Sequence, residues 1–351
     1  RLSHNRFQGS ISTNVARQLS SIQQLWIAGN SFTGQIPDEI EIFTELGKSN
    51  DRSRSVGSVD NNFWRTHCCR ALFCAFAEDL FLYNNLFTGT IPDVLRSLDL
   101  SRLQIQNNRF IGTLPASLFT NSNLRELRLD GNDFEGTLSP LIGNLNVLQD
   151  FRISFNNFEG TLPDRFAALT NLRKCSKWDA FCDRQYTAPY TSFLNTFVEI
   201  LALRDNGFEG PIYNSFERFQ DLEFADFGMN MFTGPLPTSI FDLPNIRILY
   251  FFDNQLSGEI PPNFANSTVL RDLYLYNNTL SGRVPSIGRN QLQVFTEFRI
   301  EYNDITGTMP PSICALIGPN QTVDLVTLHS DCAGDEPEIR CDCCTECFPK
   351  P

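Results

Sequence analysis

The chain has 351 residues, 41% of them hydrophobic and 19% charged, which is enough apolar material for one long or two ordinary folded domains. Acidic residues outnumber basic ones by 40 to 28, and the formal charge of −12 argues against nucleic acid as a partner because it repels phosphate. No stretch approaches the ~18 uninterrupted apolar residues of a membrane helix, so no span is expected in this chain. It begins without Met or an apolar leader; a secretory signal is therefore expected outside it, and anchorage of a full-length protein stays open.

One pattern recurs along the chain: an Asn, an apolar residue two positions later, then Gly, then Ile, Leu or Val. Most copies follow one another at 23 to 25 residues. Two longer gaps, of 55 and 50 residues, each have room for one eroded repeat. A period of 24 therefore covers most of the chain and predicts a stack of similar coils. The recurring asparagines are Asn5, Asn30, Asn85, Asn108, Asn132, Asn156, Asn206, Asn230, Asn254, Asn278 and Asn303.

Each unit has a physical interpretation of its own. Leu127 and Leu129 alternate with polar residues, which predicts a short strand with one face inward and one strand per coil in a parallel sheet. The Asn that follows is expected to be buried and to satisfy backbone groups of the turn through its amide. Gly136 and its equivalents tolerate unusual backbone angles. Four prolines are expected to keep the outer side from becoming one long helix: Pro115, Pro163, Pro237 and Pro261.

Units such as residues 123–138 resemble plant-type leucine-rich repeats, with the consensus LxxLxLxxNxFxGxIPxxLxxLxx. The resemblance covers roughly 1–40, where no N-terminal cap precedes the repeats, and 80–310. It implies an α/β repeat solenoid: a right-handed, curved horseshoe with a parallel concave β-sheet and an irregular or 3-10 convex side. Because receptor kinases, receptor-like proteins and wall-enzyme inhibitors share this unit, it also implies a recognition role outside the cell.

Residues 41–79 depart from the repeat. A polar stretch at 47–58 precedes a segment that holds His67 and the cysteines Cys68, Cys69 and Cys74. We interpret the segment as a degenerate repeat or as a gene-model error such as translated intron. A loop that contacts a partner and a His/Cys metal clip are the functional alternatives, and no zinc site is predicted there.

The last 41 residues, 311–351, contain six cysteines and are predicted to form a disulfide-rich cap over the final coil. Six cysteines allow fifteen pairings, and the sequence selects none of them. Their CxC and CxxC spacings would also suit zinc in a reducing compartment, which is the alternative. The block at 341–348 resembles the tail of diatom leucine-rich repeat proteins. The cap cysteines are Cys314, Cys332, Cys341, Cys343, Cys344 and Cys347.

Three Asn-x-Ser/Thr acceptors fit a secreted or cell-surface glycoprotein: Asn266, Asn277 and Asn320. No catalytic constellation accompanies them. The triplet at 226–228 spells the metal-binding Asp-Phe-Gly of protein kinases, but it falls on a repeat strand and lacks the partner motifs. Only three histidines occur, none beside a Ser or Cys elbow. We therefore expect no enzymatic activity, no catalytic residues, no metal and no cofactor.

Outward residues of each predicted strand line the concave face, and they are the place to look for a ligand site because packing does not constrain them. Aromatic residues on such a face tend to mark interaction sites. The alternative is that aromatic residues are simply common, with 31 Phe in the chain, and that a neighbouring loop covers them. The first candidates for ligand contact are Tyr250, Phe252, Tyr274 and Tyr276.

Arginines on the same predicted face are the second candidates, as anchors for a carboxylate, a sulfate or an acidic peptide. These are Arg128, Arg152 and Arg204. The alternative is local pairing with Asp130, Asp150 and Asp205.

The leading hypothesis is a non-catalytic extracellular or cell-surface module that binds a peptide, protein or glycan on its concave face. One alternative is a structural or adhesive cell-wall protein, in which the net charge matters more than any pocket. Another is the ectodomain fragment of a receptor kinase whose catalytic domain lies outside the sequence.

Overall fold

A computed structural model describes residues 5–14, 27–38, 78–93, 95, 100–169, 199–288, 291–317, 325–334 and 337–349. The chain divides into two compact units. Unit 1 comprises Arg1–Phe158 and Asn171–Val198, and unit 2 comprises Glu159–Thr170 and Glu199–Pro351. Residues 41–77 of the predicted insert, residues 170–198 of the eroded repeat predicted between Asn156 and Asn206, and the acceptor Asn320 lie outside the described residues. The predicted domain boundaries stay a prediction.

Each unit contains a parallel sheet with one strand per coil, which we call the first sheet. Its strands in unit 1 are Glu78–Phe81, Leu100–Gln104, Glu126–Arg128 and Asp150–Arg152. Its strands in unit 2 are Glu199–Ala202, Leu222–Asp226, Ile248–Tyr250, Asp272–Tyr274, Glu297–Arg299, Thr327–Ser330 and Glu346–Cys347. The pairing is in repeat register, so Leu127 lies between Leu103 and Phe151 on neighbouring strands. The predicted fold class, a leucine-rich repeat solenoid, is thereby confirmed.

The core of each unit is built from the inward residues of these strands. Leu103, Leu127 and Phe151 are completely buried in unit 1, as are Leu249 and Leu273 in unit 2. Burial of a side chain of this size contributes roughly 1.5–3 kcal/mol, and the contribution recurs in every coil. In the strands Glu126–Arg128, Asp150–Arg152 and Glu297–Arg299 a buried central residue is flanked by two half-buried ones, whereas Leu100–Gln104 is buried at every position. The outward residues of the first sheet are thus not needed to complete the core, although several of them are covered by their neighbours.

The structure corrects the expectation of one strand per coil, because the segment after each ladder Asn forms a second strand. These strands build a second parallel sheet. In unit 1 they are Gln8–Ser10, Ser31–Gly34, Leu86–Gly89, Arg109–Gly112 and Asp133–Thr137, and Asn157–Gly160 spans the unit boundary. In unit 2 they are Gly207–Pro211, Met231–Gly234, Gln255–Glu259, Thr279–Gly282 and Asp304–Ile305. Gly136 lies near the end of the strand Asp133–Thr137 with φ of 79°, and a Cβ there would lie 2.8 Å from Thr113 Cγ2, so only glycine fits.

The repeated asparagines form a buried ladder, as predicted. The Asn132 amide nitrogen donates to the backbone carbonyls of Leu129 at 2.9 Å and Ile105 at 3.1 Å. The Asn132 side-chain oxygen accepts from the backbone N–H of Phe110 at 3.1 Å. The same exchange recurs in unit 2, where Asn278 donates to Leu275. Each Asn thus joins its own coil to the preceding one, and replacing one by Leu would leave several buried backbone groups unpaired.

Short helices follow the second-sheet strand in several of the described coils, as the repeat implies. The 3-10 helices are Ala116–Thr120, Pro140–Asn144, Asp164–Ala168 and Pro262–Asn266, and the α-helical turns are Thr238–Phe241 and Pro311–Cys314. Pro115 and Pro261 are in extended conformation just before their helices, so the prolines separate these helices from the preceding strands. No helix among the described residues is long and apolar enough to cross a bilayer.

The cysteine-rich segment at the C-terminal side of unit 2 forms a cap. Its disulfides are Cys314–Cys343, Cys332–Cys347 and Cys341–Cys344. The sulfurs of Cys332, Cys341 and Cys344 lie within 4.8 Å of one another, but while the disulfides are intact they offer no thiolate to a metal. The cap adds two pairings: Gly307–Thr308 with Ile339–Arg340, and Thr327–Ser330 with Glu346–Cys347.

Asp331 ends the asparagine ladder of unit 2. This buried carboxylate accepts backbone N–H groups from Tyr302 at 2.7 Å and Asn303 at 3.1 Å. It therefore takes the place of backbone carbonyls, since in the preceding coil the equivalent N–H groups of Asn277 and Asn278 donate to the carbonyls of Glu301 and Tyr302. The last turn of the ladder thus keeps its backbone donors paired.

Candidate functional site

The residues that point away from the core of the first sheet in unit 2 form three columns across the strands, which we call the strand face of unit 2; some of them are buried by their neighbours on the face. Strand register sets the first column as Phe224, Ile248, Asp272, Glu297 and Thr327. It sets the middle column as Asp226, Tyr250, Tyr274, Arg299 and His329. Two positions further along the chain, the third column contains Gly228, Phe252, Tyr276 and Glu301.

Aromatic rings dominate the centre of this face. Tyr250 and Tyr274 stack with centroids 4.4 Å apart and planes 22° apart. Phe252 and Tyr276 stack beside them at 4.8 Å and 12°. Phe224 meets Tyr250 edge-on at 5.7 Å. Because neighbouring strands set the ring spacing, the stack is organised before any ligand arrives.

Two arginines of the protein lie over the outer faces of the Phe252 and Tyr276 rings in the third column. The Arg204 guanidinium carbon lies 4.9 Å from the Phe252 ring centroid, and that of Arg299 lies 4.2 Å from the Tyr276 centroid. Gly228 makes this possible, since a Cβ there would lie 2.7 Å from Phe252 Cζ. The missing side chain therefore lets the Phe252 ring occupy the space above Gly228.

Carboxylates border the tyrosines. Asp226, buried, accepts the backbone N–H of Gly228 at 2.9 Å, and burial raises the pKa of Asp226 to about 6. Asp272, also buried, accepts from Arg271 Nε at 3.0 Å and from the Thr296 hydroxyl at 2.8 Å.

The tyrosine hydroxyls lie in the field of these carboxylates. Tyr274 donates its hydroxyl to Glu297, and burial together with this hydrogen bond raises the pKa of Tyr274 above its usual range. Burial first, and then the negative charges of Asp272, Asp226 and Glu297, raises the pKa of Tyr250. Both hydroxyls are therefore neutral donors at physiological pH.

The strand face of unit 1 has a different chemistry. Asp150 accepts from Arg128 Nη2 at 2.7 Å and from Arg152 Nε at 2.7 Å. Gln104 donates to Glu126 at 2.6 Å, and Arg128 lies 3.6 Å from Glu126. Although burial opposes it, the two guanidinium groups lower the pKa of Asp150.

Asp130 belongs to the same face, and burial raises its pKa to about 6 despite the nearby arginines. The face of unit 1 is thus largely neutralised by its own residues.

Sequence-predicted site residues separate into two groups. Tyr250, Tyr274 and Tyr276 come together and are half-buried, whereas Phe252 lies buried beneath Arg204. In unit 1, Arg128 and Arg152 share Asp150, which is the local pairing that the sequence left open. Their roles in binding stay predictions.

One structural residue of the face escaped the sequence-based prediction, because Gly228 has no side chain to attract notice. Asp226 is predicted from the repeat register as an outward residue of its strand, and it also belongs to the kinase-like triplet. The structure gives that triplet a structural role, since Asp226 ends a strand and the buried Phe227 ring stacks on Phe251 at 5.1 Å. The strand register places Asp226 beside Tyr250.

Two of the three predicted glycosylation acceptors can be located. Asn266 ends a 3-10 helix and Asn277 follows a strand of the first sheet by three residues; both are exposed. Asn277 donates to Asp253 at 2.6 Å. Glycosylation itself stays a prediction.

Comparisons with known proteins agree with this architecture. A family model described as Leucine Rich Repeat matches residues 21–42, 123–145 and 245–267. No curated protein matches the chain. The crystal structure of a TDR receptor is 30% identical with a TM-score of 0.59, the match covering 89% of this chain and 52% of that one.

Two further solved structures share the fold. PEPR1–AtPEP1 is 23% identical with a TM-score of 0.62, the match covering 94% of this chain and 45% of that one. The Arabidopsis HAESA ectodomain, in complex with an IDA peptide hormone ligand, is 21% identical with a TM-score of 0.51, covering 92% and 56%. The chain thus spans about half the length of the receptor structures it matches. The two-sheet coils, the asparagine ladder and these matches together show that the chain belongs to the leucine-rich repeat proteins, with repeats of the plant type.

Proposed function

We propose that this chain is a non-catalytic extracellular recognition module, receptor-like or secreted, that binds a peptide, protein or glycan on the strand face of unit 2. The observation that carries the proposal is the half-buried cluster of Tyr250, Tyr274 and Tyr276 on a face that the fold does not need to cover. Contiguous aromatic surface of this kind marks interaction sites in soluble proteins.

The stacking geometry supports binding rather than simple packing. Inward residues of the same strands, such as Leu249 and Leu273, are completely buried, so the core is complete without the tyrosines. The rings are already held at 4.4 Å by strand spacing, and a ligand would order few additional side chains. Tyrosine also offers a broad apolar surface with a hydroxyl at its edge, which suits peptides and glycans alike.

Placement outside the cell is supported by the cap and the acceptor sites. Three disulfides in a segment of 34 residues, Cys314 to Cys347, fit an oxidising compartment. Asn266 and Asn277 are exposed, as an acceptor must be.

Likeness to receptor ectodomains supports a peptide among the ligand classes. The PEPR1 and HAESA structures are described with AtPEP1 and with an IDA peptide hormone. Because this chain spans about half of those structures, its role as part of a receptor kinase ectodomain belongs to the proposal. A structural or adhesive cell-wall role remains the competing hypothesis.

Peptide and glycan arrays test the proposal. We expect saturable binding by the wild-type chain that the double variant Tyr250→Ala/Tyr274→Ala reduces by roughly a hundredfold, since two aromatic contacts of 1–2 kcal/mol each are lost. The matched control is Tyr213→Ala, which removes an exposed tyrosine outside the first sheet. Equal binding by wild type and the double variant would place the site elsewhere. The absence of saturable binding to any array would favour the adhesive role.

A further inference from the structure

The third column of the strand face of unit 2 shows how this surface treats cations. Arg204 and Arg299 cover the outer ring faces of the Phe252–Tyr276 stack at 4.9 and 4.2 Å. Guanidinium groups are attracted to the negative faces of aromatic rings, and these two are supplied by the protein itself. The third column is therefore saturated with cations and leaves no place for another.

The middle column differs from the third column in the groups that lie beside its aromatic rings. Arg299 covers Tyr274 at 5.4 Å, but the neighbour of Tyr250 on the other side is Asp226, with the edge of Phe224 above the ring. Tyr250 therefore has a carboxylate as its neighbour on the next strand, and among the described residues no guanidinium lies over its ring. A cation beside Tyr250 would complete the pattern that the third column already shows.

Charge near Tyr250 is unbalanced. Asp226, Asp272 and Glu297 all act on its hydroxyl, and of these Asp272 is bonded to Arg271. Within the part of the chain that the structure describes, neither Asp226 nor Glu297 has a cation within ion-pair distance. Asp226 is more than nine-tenths buried, and its one hydrogen bond is to the Gly228 backbone N–H. Burial disfavours ionisation of Asp226, and the more distant Arg204 charge offsets this only in part, so a ligand cation would supply further counter-charge.

From these observations, and resting on the proposed function, we infer that the ligand is a peptide segment that presents an arginine or lysine side chain to the Tyr250–Tyr274 pair, between Asp226 and Glu297. The cationic group lies against the Tyr250–Tyr274 pair, and the two carboxylates neutralise it. The net charge of −12 would attract such a peptide over a distance. A basic partner fits this face by charge complementarity, whereas an acidic one meets two carboxylates that are only partly compensated.

Three bead-bound heptapeptide libraries, identical except that the central residue is arginine, citrulline or glutamate, provide the probe. Citrulline has nearly the shape of arginine without its charge, so the comparison isolates the cation. We expect the wild-type chain to bind the arginine library at least ten times more tightly than the citrulline library, and the glutamate library least. The variant Asp226→Asn/Glu297→Gln, which keeps side-chain shape, is expected to abolish the preference for arginine while binding citrulline peptides as before.

A charge-neutralised control in the other unit, Glu126→Gln/Asp133→Asn, should leave the preference unchanged. Equal binding of arginine and citrulline peptides, or a preference for glutamate, would overturn the inference. If peptides bind without a preference for arginine and Tyr250→Ala/Tyr274→Ala still loses this binding, the proposed function stands and only the inferred cation preference is overturned. Binding of none of the three libraries by the wild-type chain would count against both, and binding that survives in the tyrosine variant would overturn the assignment to this face.

Discussion

The two strand faces are built on the same scaffold and differ in what holds their outward side chains. In unit 1 a carboxylate, Asp150, is shared between Arg128 and Arg152, so charges on neighbouring strands neutralise one another. In unit 2 the corresponding positions contain tyrosines that stack, and carboxylates that are only partly compensated. The inward leucines and the asparagine ladder are alike in both. Outward residues can thus be exchanged without disturbing the coil, which is how one fold serves many ligands.

The largest effect is expected from breaking the charge network of unit 1. Asp150→Ala leaves two guanidinium groups, each with only 14% of its side chain exposed, without their shared carboxylate. We expect a loss of about 3 kcal/mol in the free energy of unfolding, measured by urea denaturation. Asp133→Ala, at an exposed position in the same unit, is the control and should change stability little. A loss below about 1 kcal/mol would mean that the network contributes little beyond a surface ion pair.

The aromatic stack of unit 2 can be disrupted through the glycine that makes room for it. Gly228→Ala places a Cβ 2.7 Å from Phe252 Cζ, so the ring must move away from Arg204. Overpacking of this kind costs about 2 kcal/mol, again measurable in urea. Gly288→Ala, whose Cβ would meet only the flexible Gln291 side chain, is the matched control. If both variants unfold at the same urea concentration as wild type, the close packing of Phe252 on Gly228 is not required.

An effect of similar size but opposite sign, confined to neutral and alkaline pH, is expected from the carboxylate beside Tyr250. Burial raises the pKa of Asp226 from 3.8 to about 6, so the unfolded chain loses this proton at lower pH than the folded chain does. The stability contributed by the protonated form is complete below pH 4 and is lost as pH rises through about 6. Asp226→Asn should therefore stabilise the protein by about 2 kcal/mol at pH 8 and leave it unchanged at pH 3.5, as followed by thermal unfolding.

The exposed Asp304 supplies the control for this pH effect. Asp304→Asn should change the free energy of unfolding by the same small amount at pH 8 and at pH 3.5. Asp130→Asn extends the test to unit 1, because burial also raises the pKa of Asp130 to about 6. A variant of Asp226 that is no more stable than wild type at pH 8 would show that the carboxylate is solvated in the folded state.

The smallest effect separates hydroxyl bonding from ring stacking. Tyr274→Phe removes the hydrogen bond to the half-buried Glu297 and keeps the ring, so a loss of about 1 kcal/mol or less is expected in urea unfolding. Tyr276→Phe is the control, since its hydroxyl makes no hydrogen bond within the described residues. Equal stability of Tyr274→Phe and Tyr276→Phe would show that water replaces the Tyr274 hydroxyl as a hydrogen-bond donor to Glu297.

Repetition made the coil predictable from sequence. Leu127 and Asn132 recur in equivalent form throughout the chain, and their burial follows from the period alone. The second sheet was not predicted because the Phe-x-Gly segment is too short to show alternation, and its glycine suggests a turn. That segment becomes a strand only when neighbouring coils align it.

Outward contacts were less predictable, because they depend on which residues meet across coils. Arg128 and Asp150 are 22 residues apart in the chain, and nothing local distinguishes this pair from Arg128 with Asp130. Tyrosines at 250 and 274 were identifiable from their column, but the space that Phe252 uses depends on an absent side chain at Gly228. The disulfide pairing of the cap likewise depends on distances that spacing alone does not determine.

The strand Glu346–Cys347 forms one end of the first sheet in unit 2, and its brevity has a consequence for how copies of the protein meet. A long free edge would offer a row of backbone donors and acceptors on which another copy could continue the sheet. This edge is two exposed residues long, carries a glutamate, and is tied to Cys332 by a covalent bond. This edge therefore offers few backbone groups to a neighbouring copy. It disfavours the continuation of the parallel sheet from one molecule into the next.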